Sequence, residues 1–135
     1  MNTYEITYDG NLRTSALHVD SNETIHTDAP KDNEGLGESF SPTDMVCTAL
    51  GSCILTIMAI AARKKGIEIA GTTASVKKTM RSNPRMIDCI DISINFNINF
   101  DEKTRTILER VALQCPVHRS ISSKVKKNIT FKYPS

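Results

Sequence analysis

The chain has 135 residues, a length that suits one domain with its own hydrophobic core. Its 17 basic and 15 acidic side chains leave a formal net charge of +2, and only 5% of the residues are aromatic. Such balanced charge, with few rings to stack on bases, argues against nucleic-acid binding. The N-terminal MNTYEITYDG lacks a basic end followed by an apolar run, so it is unlike a secretory signal. We therefore expect a cytoplasmic protein whose four cysteines stay reduced.

Alternating apolar and polar residues predict three strands near the N-terminus, at residues 3–8, 12–19 and 23–27. The first two are separated by Asp9-Gly10-Asn11, which predicts a hairpin turn. The polar segment 28–40 contains glycine and proline and predicts a loop.

A long helix is predicted from Ser41 to about Lys65. Ser41 suits the N-cap, Asp44 completes a capping-box-like pattern, and Gly66 suits the C-terminal end. The uncharged segment 45–62 (MVCTALGSCILTIMAIAA) reaches the length of a membrane span. The segment contains small and polar residues, and the amphipathic strands elsewhere in the chain need a helix to pack against their apolar faces. Both features favour a buried helix, so no membrane partner is expected.

The rest of the chain alternates between strand and helix patterns. Residues 90–100 (IDISINFNINF) have Ile or Phe at every even position and polar residues at every odd one, which predicts a half-buried strand. The other expected elements are strands at 67–80 and 128–133, a turn at 82–84, and helices at 101–113 and 115–125. With no repeats and no linker, the pattern predicts a single α+β domain over residues 1–135.

Two cysteines lie on the long helix, Cys47 and Cys53. They are six positions apart, about 9 Å along the helix axis, and point to different sides. Disulfide Cα separations end at about 7 Å, so any disulfide partner of Cys53 must come from another element. Gly51 and its small neighbours would let such an element approach the helix closely.

Cys115 opens the segment CPVHRS and is placed for reactivity. Pro116 prefers the first helical position, so Cys115 is the expected N-cap. Its sulfur would then face free backbone amides, which lower the pKa of a thiol. His118 and Arg119 are positioned to add charge or a hydrogen bond.

Plainer interpretations stand beside these. Taken alone, Cys53 is most often a small core residue, and we expect Cys47 and Cys89 to be structural. Cys115 and His118 also have the spacing of half a zinc site, but one such pair is a weak signal. His18 and His26 alternate on a strand and form no recognisable motif.

Two motifs resemble the OsmC/Ohr family of osmotically inducible and organic hydroperoxide resistance proteins. They are SPTD followed by ALGSC, which contains Cys53, and CPVHRS, which contains Cys115 sixty-two residues later. The resemblance covers nearly the whole chain.

The resemblance implies a two-layer α+β OsmC-like fold, with an antiparallel sheet wrapped around a long central cysteine-bearing helix, and an intertwined homodimer. It implies that Cys53 attacks an organic hydroperoxide, that Cys115 resolves the sulfenic acid as a disulfide, and that an external thiol such as a dihydrolipoyl group regenerates the enzyme. It implies no cofactor and no metal. An apolar wall of Ile54, Ile57 and Met58 would suit an organic peroxide.

One position departs from the peroxidase branches of the family. They carry a Glu ten residues before the first Cys, which holds an activating Arg, whereas this chain has Thr43 there and Asp44 next to it. Arg13, from the N-terminal hairpin, is the candidate activator. The departure keeps open a binding or redox-sensing module on the same fold with negligible peroxidase turnover, and a purely structural role for all four thiols.

Overall fold

The structure, a computed structural model, describes residues 3–135. The strands are β1 (Tyr4–Gly10), β2 (Arg13–His18), β3 (Glu23–Asp28), β4 (Thr73–Arg81), β5 (Met86–Asn95) and β6 (Lys126–Lys132). The α-helices are α1 (Pro42–Arg63), α2 (Glu102–Ala112) and α3 (Pro116–Ser120), and a short 3-10 turn covers Lys31–Asn33. The predicted α+β class is confirmed.

The chain divides into two compact units, the first ending at Val46 and the second spanning Cys47–Ser135. The boundary falls within the first turns of α1. The assignment of the whole chain to a single domain stays a prediction.

The first unit contains an antiparallel sheet in the order β1-β2-β3. Its register aligns Ile6 with Ala16 and Ala16 with Ile25, so the apolar residues share one face, as the alternation predicts. That face is open in this chain, since Ile6 is 63% and Ile25 50% exposed. The hairpin turn lies one residue later than predicted, at Asn11 and Leu12, which both have positive φ.

Helix α1 begins and ends where the sequence predicts. Ser41 Oγ accepts a hydrogen bond from the Asp44 amide, and Asp44 Oδ2 accepts one from the Ser41 amide, which together form a reciprocal cap. At the other end Gly66 has φ +71°, and the Gly66 and Ile67 amides donate to Arg63 and Ala62 carbonyls.

The second unit contains a sheet in the order β4-β5-β6. Strands β4 and β5 are antiparallel, but β5 and β6 are parallel, which differs from the antiparallel sheet that the resemblance implies. The even residues of β5, Ile90, Ile92 and Ile94, are at most 2% exposed. The alternating pattern therefore predicted the buried face correctly.

The core of the second unit combines that face with helices α1 and α2. Leu50, Ile54 and Met58 of α1 are fully buried, as is Leu108 of α2. Among the helices within residues 3–135, α1 is the one whose length and mean hydropathy (2.2) would allow it to cross a membrane. Because one side of it belongs to this core, the prediction of a buried helix holds for that side.

Three predicted elements have different bounds in the structure: β4 and α3 are shorter, and β5 starts earlier, at Met86, and ends earlier. Strand β4 starts at Thr73 rather than residue 67, because Gly71 has φ +94° and the Thr72 amide turns back to the Ile69 carbonyl. Strand β5 ends at Asn95, which pairs with Thr73 at the start of β4 and with Lys132 at the end of β6. Beyond it the chain folds so that the rings of Phe96 and Phe100 meet edge to face at 5.2 Å. Helix α3 stops at Ser120 instead of continuing to residue 125.

Candidate active site

The thiols of Cys53 and Cys115 meet inside the second unit. Cys53 lies on α1 and is partly exposed, whereas Cys115 precedes α3 and is fully buried. Cys53 lies close enough to Cys115 to raise the pKa of the Cys115 thiol. Both are free thiols in this structure. The fold thus places Cys115, the N-cap residue of α3, beside Cys53, which has no such thiol neighbour on α1.

Cys115 is the N-cap of α3, as its position before Pro116 predicts, and its Sγ accepts a hydrogen bond from the His118 amide at 3.2 Å. Burial nevertheless raises the pKa of the Cys115 thiol; the His118 amide lowers it, and the neighbouring Cys53 raises it again. The expected low pKa of Cys115 is therefore wrong, because desolvation outweighs the helix end. A buried, protonated thiol suits the resolving role better than the attacking one.

His118 contributes its backbone to the site rather than a charge. Burial lowers the pKa of its imidazole, and the charge of Lys127 lowers it further. The ring is therefore neutral at pH 7. Of the two expected contributions, a charge or a hydrogen bond, His118 provides the hydrogen bond, through its backbone amide.

Arg13 is held by two carboxylates within the first unit. It opens β2 directly opposite Asp28, and its Nε lies 3.5 Å from Asp28 Oδ1. A terminal guanidinium nitrogen contacts the Glu38 carboxylate. The interaction with the Asp28 carboxylate, followed by the hydrogen bond that Arg13 donates to Glu38, raises the pKa of Arg13. The Asp28 side chain is only 2% exposed, and its Oδ2 also accepts the Glu38 amide at 2.9 Å.

Asp44, the acid next to Thr43, caps the start of α1. Its carboxylate is bound to the Ser41 amide at 2.9 Å, while the Thr43 hydroxyl lies 3.2 Å from the Ser41 hydroxyl. The acids that pair with Arg13 come from the end of β3 and from the loop after it. The capping geometry explains why Asp44 points along its own helix end.

The other two cysteines occupy different settings. Cys47 is 3% exposed and belongs to the core cluster, consistent with its predicted structural role. Cys89 lies on β5, where its Sγ is 3.6 Å from Asp91 Oδ2 and accepts the Asn128 side-chain amide at 3.4 Å. Partial burial and then the Asp91 carboxylate raise the pKa of Cys89.

A metal site gains no support in the part of the chain that the structure describes. Within residues 3–135 no group of three or more His, Cys, Asp or Glu side chains is arranged to hold a metal ion. The zinc alternative built on Cys115 and His118 therefore lacks a third ligand there.

Comparison with known proteins decides the family. The family model described as OsmC-like protein matches residues 35–130. A crystal structure from Psychrobacter arcticus, of a protein assigned to the osmotic stress and detoxification response, is 50% identical with a TM-score of 0.93, over 97% of this chain and 96% of that one. The chain belongs to the OsmC-like family. No curated protein matches this OsmC-like chain.

More distant structures share the OsmC-like fold. An organic hydroperoxide resistance protein from Legionella pneumophila is 10% identical with a TM-score of 0.77, over 98% of this chain and 96% of that one. One from Elizabethkingia anophelis is 13% identical with a TM-score of 0.75, over 99% and 98%. At these identities the comparison concerns the fold alone.

Sequence reasoning missed Asp28 and Glu38 in this OsmC-like protein. Both fall in or beside the segment predicted as a loop, whose acidic residues gave no periodic signal. The antiparallel register of β2 and β3 was the available clue, since it places Asp28 opposite Arg13. Glu38 had no such clue, because its position depends on the path of the loop.

Proposed function

We propose that this OsmC-like protein is a thiol-dependent peroxidase that reduces organic hydroperoxides. The observation that carries the proposal is the proximity of a partly exposed thiol, Cys53, to a buried one, Cys115. Neither helix could provide this pair by itself. The occurrence of the same fold in organic hydroperoxide resistance proteins supports the choice of substrate class.

The proposed reaction has two steps in the protein. The Cys53 thiolate attacks the terminal oxygen of the hydroperoxide, the O–O bond breaks, and Cys53 becomes a sulfenic acid. The substrate leaves as an alkoxide, which takes up the proton that Cys53 lost on ionising and becomes an alcohol. The Cys115 sulfur then attacks the sulfenic sulfur, forms a disulfide and releases water. The two electrons that reduce the peroxide thus come from the two thiols.

An external dithiol, possessing the chemistry of a dihydrolipoyl group, would reduce the disulfide and become a disulfide itself. Burial of Cys115 limits access from solvent, so we propose that the reductant attacks the more exposed Cys53 sulfur. Cytoplasmic location, where thiols are kept reduced, is part of the same proposal.

Arg13 is proposed as the activating cation. The proposal is supported by the family resemblance and by the contacts of the Arg13 guanidinium with the carboxylates of Asp28 and Glu38. These two carboxylates would take the role of the Glu that the peroxidase branches have at position 43. The neutral His118 and the cap residue Asp44 are assigned supporting rather than electrostatic roles.

A homodimer is also proposed. The support is the apolar face of the first sheet, where Tyr4, Ile6 and Tyr8 are each more than half exposed in the single chain. A contiguous apolar face of this kind is a common feature of protein interfaces.

Disulfide mapping after peroxide treatment tests the proposed function. One equivalent of cumene hydroperoxide should remove two thiols from the reduced protein and yield a Cys53–Cys115 disulfide by mass spectrometry. Cys53→Ser should lose none, Cys115→Ser should accumulate a sulfenic acid at Cys53 that dimedone traps, and Cys47→Ser, the matched control, should behave like the parent. Peroxide consumption by Cys53→Ser at the parental rate would refute the assignment.

The binding-module alternative predicts a different result. A thiol or apolar ligand would protect Cys53 from alkylation, with no peroxide consumed by the parent.

A further inference from the structure

Helix α3, which begins directly after Cys115, is too short to hold its own position. It spans five residues, and a helix of this length is not stable without tertiary contacts. Val117 and Ile121 pack against the core of the second unit and supply part of that support. Ile54 and Met58, expected to form an apolar wall for the peroxide, are fully buried in the same core. The backbone carbonyls at the C-terminal end of α3 need polar partners that apolar packing cannot provide.

Lys127, on strand β6, provides a polar partner at that end. Its Nζ donates hydrogen bonds to the Ile121 carbonyl oxygen at 3.4 Å and to the Ser122 carbonyl oxygen at 3.3 Å. Ile121 is the C-cap residue of α3, so the ammonium lies where a helix end exposes carbonyls and favours a cation. Lys127 is partly buried, and within residues 3–135 no carboxylate forms an ion pair with it. The two carbonyls are therefore the polar contacts through which Lys127 acts.

The strand that carries Lys127 is firmly placed. Strand β6 pairs in parallel with β5, and Lys127 lies opposite Ile90, which is fully buried. The pKa of His118 is lowered first by burial and then by the Lys127 charge. The ammonium is thus near the middle of α3 as well as at its end. Lys127 therefore links the second sheet to the short helix.

We propose that Lys127 is a positioning residue for the second step of the reaction, because its hydrogen bonds hold α3 and thereby keep Cys115 beside Cys53. In that step the Cys115 sulfur attacks the sulfenic sulfur of Cys53 and the S–O bond breaks. The departing hydroxyl takes up the Cys115 proton and leaves as water. Lys127 acts through the helix and not on the reacting atoms. The inference rests on the proposed function, so its first test uses no peroxide.

Redox titration in glutathione buffers measures how well the two thiols are placed. The equilibrium constant for the Cys53–Cys115 disulfide reports the effective concentration of one thiol at the other. Lys127→Met removes the hydrogen bonds with little change in side-chain length. It should lower that constant about ten-fold, the contribution of a hydrogen bond from a charged donor, which makes the reduction potential about 30 mV less negative. Lys127→Arg keeps a cationic donor and should restore the parental value.

Rapid mixing with cumene hydroperoxide separates the two steps. In Lys127→Met the sulfenic acid should form at Cys53 at the parental rate, whereas the disulfide should form about ten-fold more slowly. In excess peroxide a second hydroperoxide oxidises the unresolved sulfenic acid to a sulfinic acid, so mass spectrometry should show a higher sulfinic-to-disulfide ratio. That ratio is set in molecules whose Cys53 has already reacted, so a smaller folded fraction does not raise it.

Lys126→Met is the matched control. It removes the neighbouring charge from an exposed position of β6, opposite Cys89, and should match the parent in potential and ratio. NMR titration checks the location of the Lys127 charge, because the pKa of His118 should rise in Lys127→Met once that charge is gone. If Lys127→Met does not fold, Lys127→Ala removes the same hydrogen bonds and should give the same shifts.

Several results would overturn the inference. They are an unchanged potential or sulfinic-to-disulfide ratio in Lys127→Met, an unchanged pKa of His118 in that variant, and equal effects of Lys126→Met. If peroxide yields no disulfide in the parent, the proposed function fails while the glutathione titration still decides the role of Lys127. A parent that forms no Cys53–Cys115 disulfide in glutathione buffers would overturn the inference as well, because there would be no pair to position.

Discussion

Gly51, two residues before Cys53 on α1, offers a direct test of how closely α1 and β4 approach each other. A Cβ built on Gly51 would lie 3.1 Å from Val76 Cγ2 and 3.8 Å from the Ala74 Cβ. The first distance is tighter than an ordinary van der Waals contact, so Gly51→Ala requires Val76 to move by a few tenths of an ångström. Gly51 therefore has a packing reason as well as a conformational cost.

The two effects have opposite signs and similar size. Replacing a helical Gly by Ala stabilises the folded state by about 1 kcal/mol. Overpacking costs about 1–3 kcal/mol, and the low end applies because Val76 is 37% exposed and can shift. We expect Gly51→Ala alone to change the free energy of unfolding by less than about 1 kcal/mol.

Val76→Ala removes the atom that the new methyl would meet. In that background Gly51→Ala should stabilise the protein by about 1 kcal/mol, giving a coupling energy of about 1 kcal/mol between the two sites. Urea denaturation followed by far-UV circular dichroism measures all four proteins. Gly66→Ala is the control, since its φ of +71° with open space around it predicts a loss of about 1–2 kcal/mol from backbone strain alone.

An identical effect of Gly51→Ala in both backgrounds would refute the assignment of Val76 as the limiting contact. A loss of more than about 3 kcal/mol in both would show that α1 and β4 cannot separate at all.

Three further predictions concern the site and its supports. Because the pKa of His118 is lowered in the folded state, the unfolded chain takes up a proton at this residue at a higher pH than the folded chain does. The free energy of unfolding should therefore fall as the pH drops below about 6.5. In urea titrations His118→Asn should remove that part of the pH dependence, and an unchanged profile would contradict the prediction. Under native conditions iodoacetamide should modify Cys53 well before Cys47 and Cys115, which are 3% and 0% exposed. Peptide mass spectrometry measures the three rates, and equal rates would argue for local opening of the fold instead. Asp28→Asn should lower kcat/KM for cumene hydroperoxide by about ten-fold or more, because Arg13 is held less firmly. Glu38→Gln should have a smaller effect, since Glu38 is exposed. An unchanged rate in Asp28→Asn, while Arg13→Met is slow, would show that Arg13 acts without these carboxylates.

The sequence by itself determined the elements whose signals are local. Ser41, Asp44 and Gly66 placed both ends of α1, and the Ile alternation in β5 identified the buried face, because caps and periodicity act within a few residues. Cys115 was recognised as a helix cap from Pro116 for the same reason. The motifs around Cys53 and Cys115 identified the family.

Only the tertiary structure decided what depends on residues far apart in the chain. It brought Cys53 close to Cys115, it raised the pKa of Cys115 through burial that no local pattern reports, and it gave Arg13 the carboxylates of Asp28 and Glu38. Hydrogen-bond partners and desolvation are set by the packing of distant segments, whereas capping and periodicity are set by neighbours. That difference in range explains why the positions of the two thiols were predictable from sequence and their electrostatic surroundings were not.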